Sequence, residues 1–191
     1  MEISTNGMEK SKLVPFLRYD LDILFVGLNP AKGSNDNGHY FSVNQAFWNQ
    51  LYESELIKQP INKLIADNAI FGGTSLNFDD WQYGITDLVT KYAESDSSKI
   101  APTVEDCDQL LNDIQKFKPK TVVLLHGKVL SNLCEYLGRS TPKSNTGKLG
   151  QLIKNCQTEF FNIAFPHGNA ITSVDKIVRY KELKKNLLNL N

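Results

Sequence analysis

Three observations predict an α/β fold, a three-layer α/β/α sandwich around a central, mainly parallel sheet of about four strands. Short apolar runs alternate with segments of helical periodicity, as in chains that build covered parallel sheets. Each of the three strongest runs ends in polar or turn-forming residues. No linker, internal repeat or low-complexity segment divides the 191 residues, and 41% hydrophobic content is ample for one core. The first dozen residues are polar and read as a flexible N-terminus, leaving one domain over 13–191.

The elements follow in order. Leu21 to Leu28 is a buried parallel strand: apolar, β-branched and aromatic, and too short for a helix. Pro30 cannot continue a ladder, so the chain leaves the sheet at Asn29-Pro30. A polar loop with Gly33, Gly38, His39, Tyr40 and Phe41 leads to a helix from Ala46 to about Ile57, whose apolar face carries Phe47, Leu51 and Leu56. Pro60 interrupts it, and Ile61 to Ala69 reads as a second short helix. Phe71 to Asp80 is loop or a short edge element. Tyr83 to Val89 is a short strand or turn. Pro102-Thr103-Val104 opens a helix to about Phe117, with Thr103 and Asp106 at capping-box spacing. Thr121 to Leu125 is the second clear strand, ending in His126-Gly127-Lys128, and a helix runs on to about Tyr136. Arg139 to Gly150 reads as an exposed basic loop. Phe160 to Phe165 is the third strong strand, ending in Pro166-His167-Gly168-Asn169, and a final helix covers Ser173 to Leu190.

Bulk properties narrow the function. Lys+Arg and Asp+Glu both number 21, which argues against binding nucleic acid by bulk charge but leaves room for a local basic face. Lys143, Lys148, Lys176, Arg179, Lys181, Lys184 and Lys185 are candidates for such a face, diluted by Glu159, Asp175 and Glu182. Cys107, Cys134 and Cys156 are widely spaced and odd in number, so reduced thiols fit better than a disulfide framework or a zinc site. No segment has the length and apolarity of a signal sequence or membrane span, and the chain reads as a cytoplasmic protein. His39, His126 and His167 lie toward one sheet edge, but their spacing matches no ligand motif, and no metal is expected.

Parallel connection brings the carboxyl ends of the three strong strands to one edge, where open α/β sheets bind ligands. Asn29-Pro30, His126-Gly127 and Pro166-His167-Gly168-Asn169 thereby face one site. Asp20 and Asp22, at the opposite end of the first strand, fall outside it. The nearby aromatic cluster suits a flat, polar ligand.

These residues, in this order, resemble the uracil-DNA glycosylase superfamily, most closely its mismatch-specific uracil/thymine branch. An apolar strand runs into Gly27-Leu28-Asn29-Pro30-Ala31 where that branch has Gly-Ile-Asn-Pro-Gly. Gly38-His39-Tyr40-Phe41 takes the place of its Gly-x-x-Phe segment, and Gln45-Ala46-Phe47-Trp48 that of its Asn-x-Phe-Trp helix start. Gly84-Ile85-Thr86-Asp87-Leu88-Val89 matches a Gly-Val-Thr-x-Leu-Val element, and His126-Gly127-Lys128 a strand followed by Gly-Lys. The second motif falls on Phe165-Pro166-His167-Gly168-Asn169-Ala170, where Phe165 stands for Asn and His167 for Ser of close relatives.

The resemblance implies a monofunctional glycosylase that flips a uracil or related deaminated or mismatched base out of DNA and hydrolyses its N-glycosidic bond, as a monomer and without a cofactor. In that reading Asn29 holds the attacking water; the plain alternative is an Asn-Pro turn cap. Phe41 or Tyr40 stacks on the base, unless both rings simply fill core. Gly27, Leu28 and Pro30 line the base pocket, and main-chain N–H groups near Leu28 and Phe41 are candidate base-edge donors. His167 stabilises the departing base, contacts a phosphate or caps a turn. Pro166, Gly168, Asn169, Ala170 and Ile171 engage the DNA strand, with Ile171 the wedge. Two other readings stay open: a catalytically weak nucleic-acid-binding member of the fold, and a hydrolase or binding protein for free nucleosides or nucleotides.

Overall fold

A computed structural model describes residues 8–190. Its main sheet has five strands: β2 (Ile23–Gly27), β3 (Tyr83–Asp87), β5 (Thr121–Leu124), β6 (Gly147–Gly150) and β7 (Glu159–Asn162). Their order is β3-β2-β5-β7-β6, with every pair parallel except β6 against β7. The expected α/β sandwich is present, with one strand more than the four expected.

That extra strand corrects the reading of Arg139 to Gly150 as an exposed loop. Four residues bounded by glycines, with a register shift between Lys148 and Gly150, carry too little periodicity to announce a strand. Their partner decides the matter: Lys148 pairs with Phe161 in the ladder, and its Nζ lies 2.8 Å from the Glu159 carboxylate. A separate two-stranded ribbon pairs β1 (Glu9–Lys10), which falls in the segment expected to be flexible, with β4 (Tyr92–Ala93); residues 1–7 lie outside the described residues.

Among the described residues there are six α-helices, α1 (Lys32–Asn37), α2 (Ala46–Glu53), α3 (Ala66–Ile70), α4 (Val104–Phe117), α5 (Gly127–Tyr136) and α6 (Ser173–Leu188), and all but α1 place residues in the core against the sheet. Strand alternation sorts the core into two layers. Ile23, Phe25, Tyr83, Ile85, Val123 and Phe161 pack with residues of α2, α3 and α6. Leu24, Val26, Val122, Leu124 and Phe160 pack with residues of α4 and α5. The Thr103–Asp106 capping box forms as its spacing predicts.

Three local differences have physical causes. α2 stops at Glu53, short of Ile57, because Glu55 turns left-handed (φ 61°) and Ser54 donates to the Leu51 carbonyl. α3 begins at Ala66 rather than Ile61, since the Lys63 N–H and Ile61 carbonyl bond the Gln45 amide instead of a helical ladder. α1 replaces part of the expected polar loop. It is held by the buried Asn35, which accepts from Lys12 N (2.6 Å) and donates to the Lys10 carbonyl (3.3 Å).

Candidate active site

The carboxyl edge of the sheet is built first from its register. Gly27 stands beside Asp87 at the ends of β2 and β3, and alternation turns both toward the layer that contains Phe25 and Tyr83. A β-carbon on Gly27 would collide with Asp87 Oδ1, so the bare backbone lets this carboxyl lie over the strand end. Asp87 is buried and its Oδ2 has no hydrogen-bond partner. Burial pushes its pKa up to about 7. Gly27→Ala is therefore expected to displace Asp87 or lower stability by about 1–3 kcal/mol, which thermal unfolding of the variant measures.

Beyond Gly27 the exit of β2 is pinned on both sides. Leu88 N donates to the Gly27 carbonyl (2.9 Å) and Val89 N to that of Leu28 (2.8 Å). Leu28 and Pro30 are buried, while Asn29 between them is half-buried. The Asn29 amide donates to the carbonyls of Pro30 (2.9 Å) and Glu94 (2.8 Å). This is the turn-latching role of an Asn-Pro pair, and it also fixes the amide: with Nδ2 spent on carbonyls, Oδ1 is left as the acceptor.

The loop after α1 separates the two rival aromatics. Tyr40 is 5% exposed, packs edge-on to Phe16, and its N–H donates to Asp67 Oδ2. Burial, with Asp87 and Asp67 nearby, raises its hydroxyl pKa. Phe41 takes φ 50°, a conformation bulky residues rarely adopt. The Trp48 indole donates to its carbonyl (3.1 Å), and this twist lifts the ring partly out of the core. One Phe41 face stacks on Phe47 at 4.1 Å. His39, the third member of the loop, bonds Asp67 at 2.9 Å.

The second motif closes the site from β7. Phe165 lies 6.2 Å from Phe41, 5.1 Å from His167 and 5.9 Å from His126, measured between ring centres. It thus joins two of the segments that the sequence placed at one edge to the aromatic loop beside them. Pro166 is buried, whereas His167, Gly168, Asn169 and Ala170 are exposed. Partial desolvation of the imidazole, which lies against Phe165, and then the charge of Lys176 hold the His167 pKa below the usual histidine value. Asn169 is committed within its own loop. Its amide donates to the Phe165 and His167 carbonyls and its Oδ1 accepts from Ile171 N. Ile171 borders a cavity of about 290 Å³ with Asn145, Asp175 and Arg179.

A family model described as the uracil DNA glycosylase superfamily matches residues 14–185, nearly the whole chain. The chain belongs to that superfamily. No curated protein matches it. In this glycosylase-superfamily chain the match spans every strand of the main sheet and the whole edge just described.

Two residues of the glycosylase edge have no role assigned to them by the sequence. Asp87 was read only as the variable position of a Thr-x-Leu-Val element. The signal for its burial is Gly27, the one residue type that leaves it room. His126 was noted as a strand end. Its Nδ1 accepts from Lys128 N (3.0 Å), capping α5, which leaves Nε2–H as the ring's donor; burial and then Lys128 lower its pKa. The expected basic face is thinner than its residue count. Arg179 pairs with Glu182, Lys184 with Glu55, Lys148 with Glu159, and Lys176 is buried. Among the described residues, no group of three or more His, Cys, Asp or Glu is placed to hold a metal, and no helix is long and apolar enough to cross a membrane.

Proposed function

We propose that this chain is a monofunctional DNA glycosylase, hydrolysing the N-glycosidic bond of uracil or a related deaminated or mismatched base in DNA. The observation that carries the reading is the half-exposed Phe41 ring, backed by Phe47 and facing Phe165, at the same sheet edge as the oriented Asn29 amide. A flipped base finds there an aromatic face, and the sugar finds a fixed hydrogen-bond acceptor.

The chemistry follows from these groups. Bond cleavage leaves positive charge on the sugar and negative charge on the base. Asn29 Oδ1 accepts a hydrogen bond from water and turns a lone pair of that water toward the sugar carbon. A carboxamide is a weak base, so its contribution is orientation rather than proton removal. Neutral imidazoles at His126 and His167 present N–H donors toward the anion side. The loop from Pro166 to Ile171 engages the DNA strand beside the flipped nucleotide, with Ile171 the apolar wedge. The protein acts as a cytoplasmic monomer and requires no cofactor.

The experiment is a panel of single- and double-stranded oligonucleotides carrying uracil, hypoxanthine, xanthine or mismatched thymine, treated with alkali after incubation. Abasic-site cleavage on at least one lesion is expected. Binding without cleavage on any lesion replaces this reading with that of a nucleic-acid-binding member of the fold. Phe41→Ala is expected to weaken capture of the lesion strand by the ~1–3 kcal/mol of one base–aromatic contact, while Tyr40→Phe leaves it within twofold. Fluorescence titration of lesion oligonucleotides separates the two.

A further inference from the structure

Lys176 is 2% exposed, and no carboxylate pairs with it among the described residues. Its Nζ lies 3.3 Å from the Pro166 carbonyl. The same carbonyl accepts from Gln50 Nε2 at 3.0 Å, and Gln50, fully buried, also reaches Ser173 Oγ at 3.2 Å. Gln50 comes from α2, Ser173 and Lys176 from α6, so two packed helices clamp one carbonyl at the root of the second motif. An unpaired buried ammonium is costly, and an apolar side chain of similar length would pack α6 without that cost.

We propose that Lys176 is a positioning residue of the glycosylase site, fixing the Pro166 carbonyl together with Gln50 and setting a buried positive charge behind the loop that faces the departing base. The proposal rests on the glycosylase reading for its catalytic consequence and on the geometry alone for the strut. Pro166 is the last buried residue before the exposed stretch His167 to Ala170, so its peptide plane sets the direction in which that stretch leaves the core. The hydrogen bonds from Asn169 then carry the setting through the loop. The charged and titratable groups around His167 are Lys176 on α6 and, across the Phe165 ring, His126 at the end of β5. Lys176 is thus the positive group that favours neutral His167, with burial acting in the same direction.

The test uses Lys176→Met, Lys176→Arg and Gln50→Leu in the full chain, with two readouts. The first is single-turnover excision at saturating and subsaturating lesion oligonucleotide. The second is the NMR titration of the His167 imidazole without DNA. Lys176→Met is expected to fold, to move the His167 titration to higher pH, and to slow saturated excision at least tenfold. Gln50→Leu slows excision without moving that titration, since no charge is lost. Lys176→Arg restores the titration and part of the rate. A parent that excises no base overturns the glycosylase reading, and the His167 titration then judges the buried charge behind the loop by itself. An active parent whose Lys176→Met variant keeps the rate, or keeps the His167 titration in place, overturns this proposal alone.

Discussion

Asn29→Ala is expected to lower single-turnover base excision on the order of a hundredfold or more, the scale of losing one positioned group at a reacting centre. Lesion-oligonucleotide binding stays within a few-fold, because the proposed mechanism gives the base to Phe41 and the strand to the second motif. The amide is fixed in one orientation. Both Nδ2 protons go to main-chain carbonyls, those of Pro30 and Glu94, so the side chain cannot turn its donor toward the sugar. Asn29→Asp separates orientation from basicity. A carboxylate is the stronger base, yet here it would put an oxygen in place of Nδ2 against two carbonyl oxygens and leave both carbonyls unsatisfied, at about 1–3 kcal/mol each. The Asp variant is therefore expected to unfold at lower temperature than the parent and to gain no rate. Faster excision by Asn29→Asp would show that proton removal, not water orientation, limits the reaction.

The difference between legible and hidden parts of this molecule follows the range of the forces involved. β2, β5 and β7 were readable because both faces of each are covered, which forces continuous apolar runs such as Ile23-Leu24-Phe25-Val26. β6 was not, because an edge strand of Gly147-Lys148-Leu149-Gly150 owes its conformation to β7 and to the Lys148–Glu159 pair, not to its own pattern. At the site, Asn29, Phe41 and the second motif stood out by position at the strand ends. The burial of Tyr40 beside a partly exposed Phe41 depends on the left-handed twist at Phe41 and the Asp67 bond to Tyr40 N. Asn169 shows a role that position alone does not announce: it spends its amide on its own loop, a local hydrogen-bonding habit of Asn, and so shapes the segment proposed to meet DNA. Asp87 and Gln50 were hidden because each depends on a residue distant in sequence: Asp87 on the missing side chain of Gly27, Gln50 on the carbonyl of Pro166.

Asp87→Asn is expected to remove a pH dependence that the parent shows in both stability and excision. Burial raises the folded-state pKa of Asp87 from the ordinary carboxyl value, about 4, to about 7. The native state therefore holds a proton that the unfolded state releases. The sign follows: stability is greatest below the unfolded value, falls as pH climbs between about 4 and 7, and levels off above. Full ionisation of the buried carboxyl corresponds to roughly 4 kcal/mol, with the unpartnered Oδ2 as its structural counterpart. Asn has nearly the same shape and cannot ionise, so the variant should unfold at a higher temperature than the parent at pH 8 and at a similar one near pH 4. The excision profile extends the argument to substrate. A neutral carboxyl offers one donor and one acceptor, the pattern complementary to a carbonyl beside a ring N–H, as in uracil, thymine and hypoxanthine. An ionised carboxylate offers acceptors only and repels that carbonyl. In the proposed glycosylase, excision of such bases falls as pH rises through about 7 in the parent and stays level in Asp87→Asn, whose amide keeps both groups at every pH. Parallel pH–rate profiles for the two proteins between pH 5 and 9 would remove Asp87 from base recognition, while the thermal unfolding series would still report its burial.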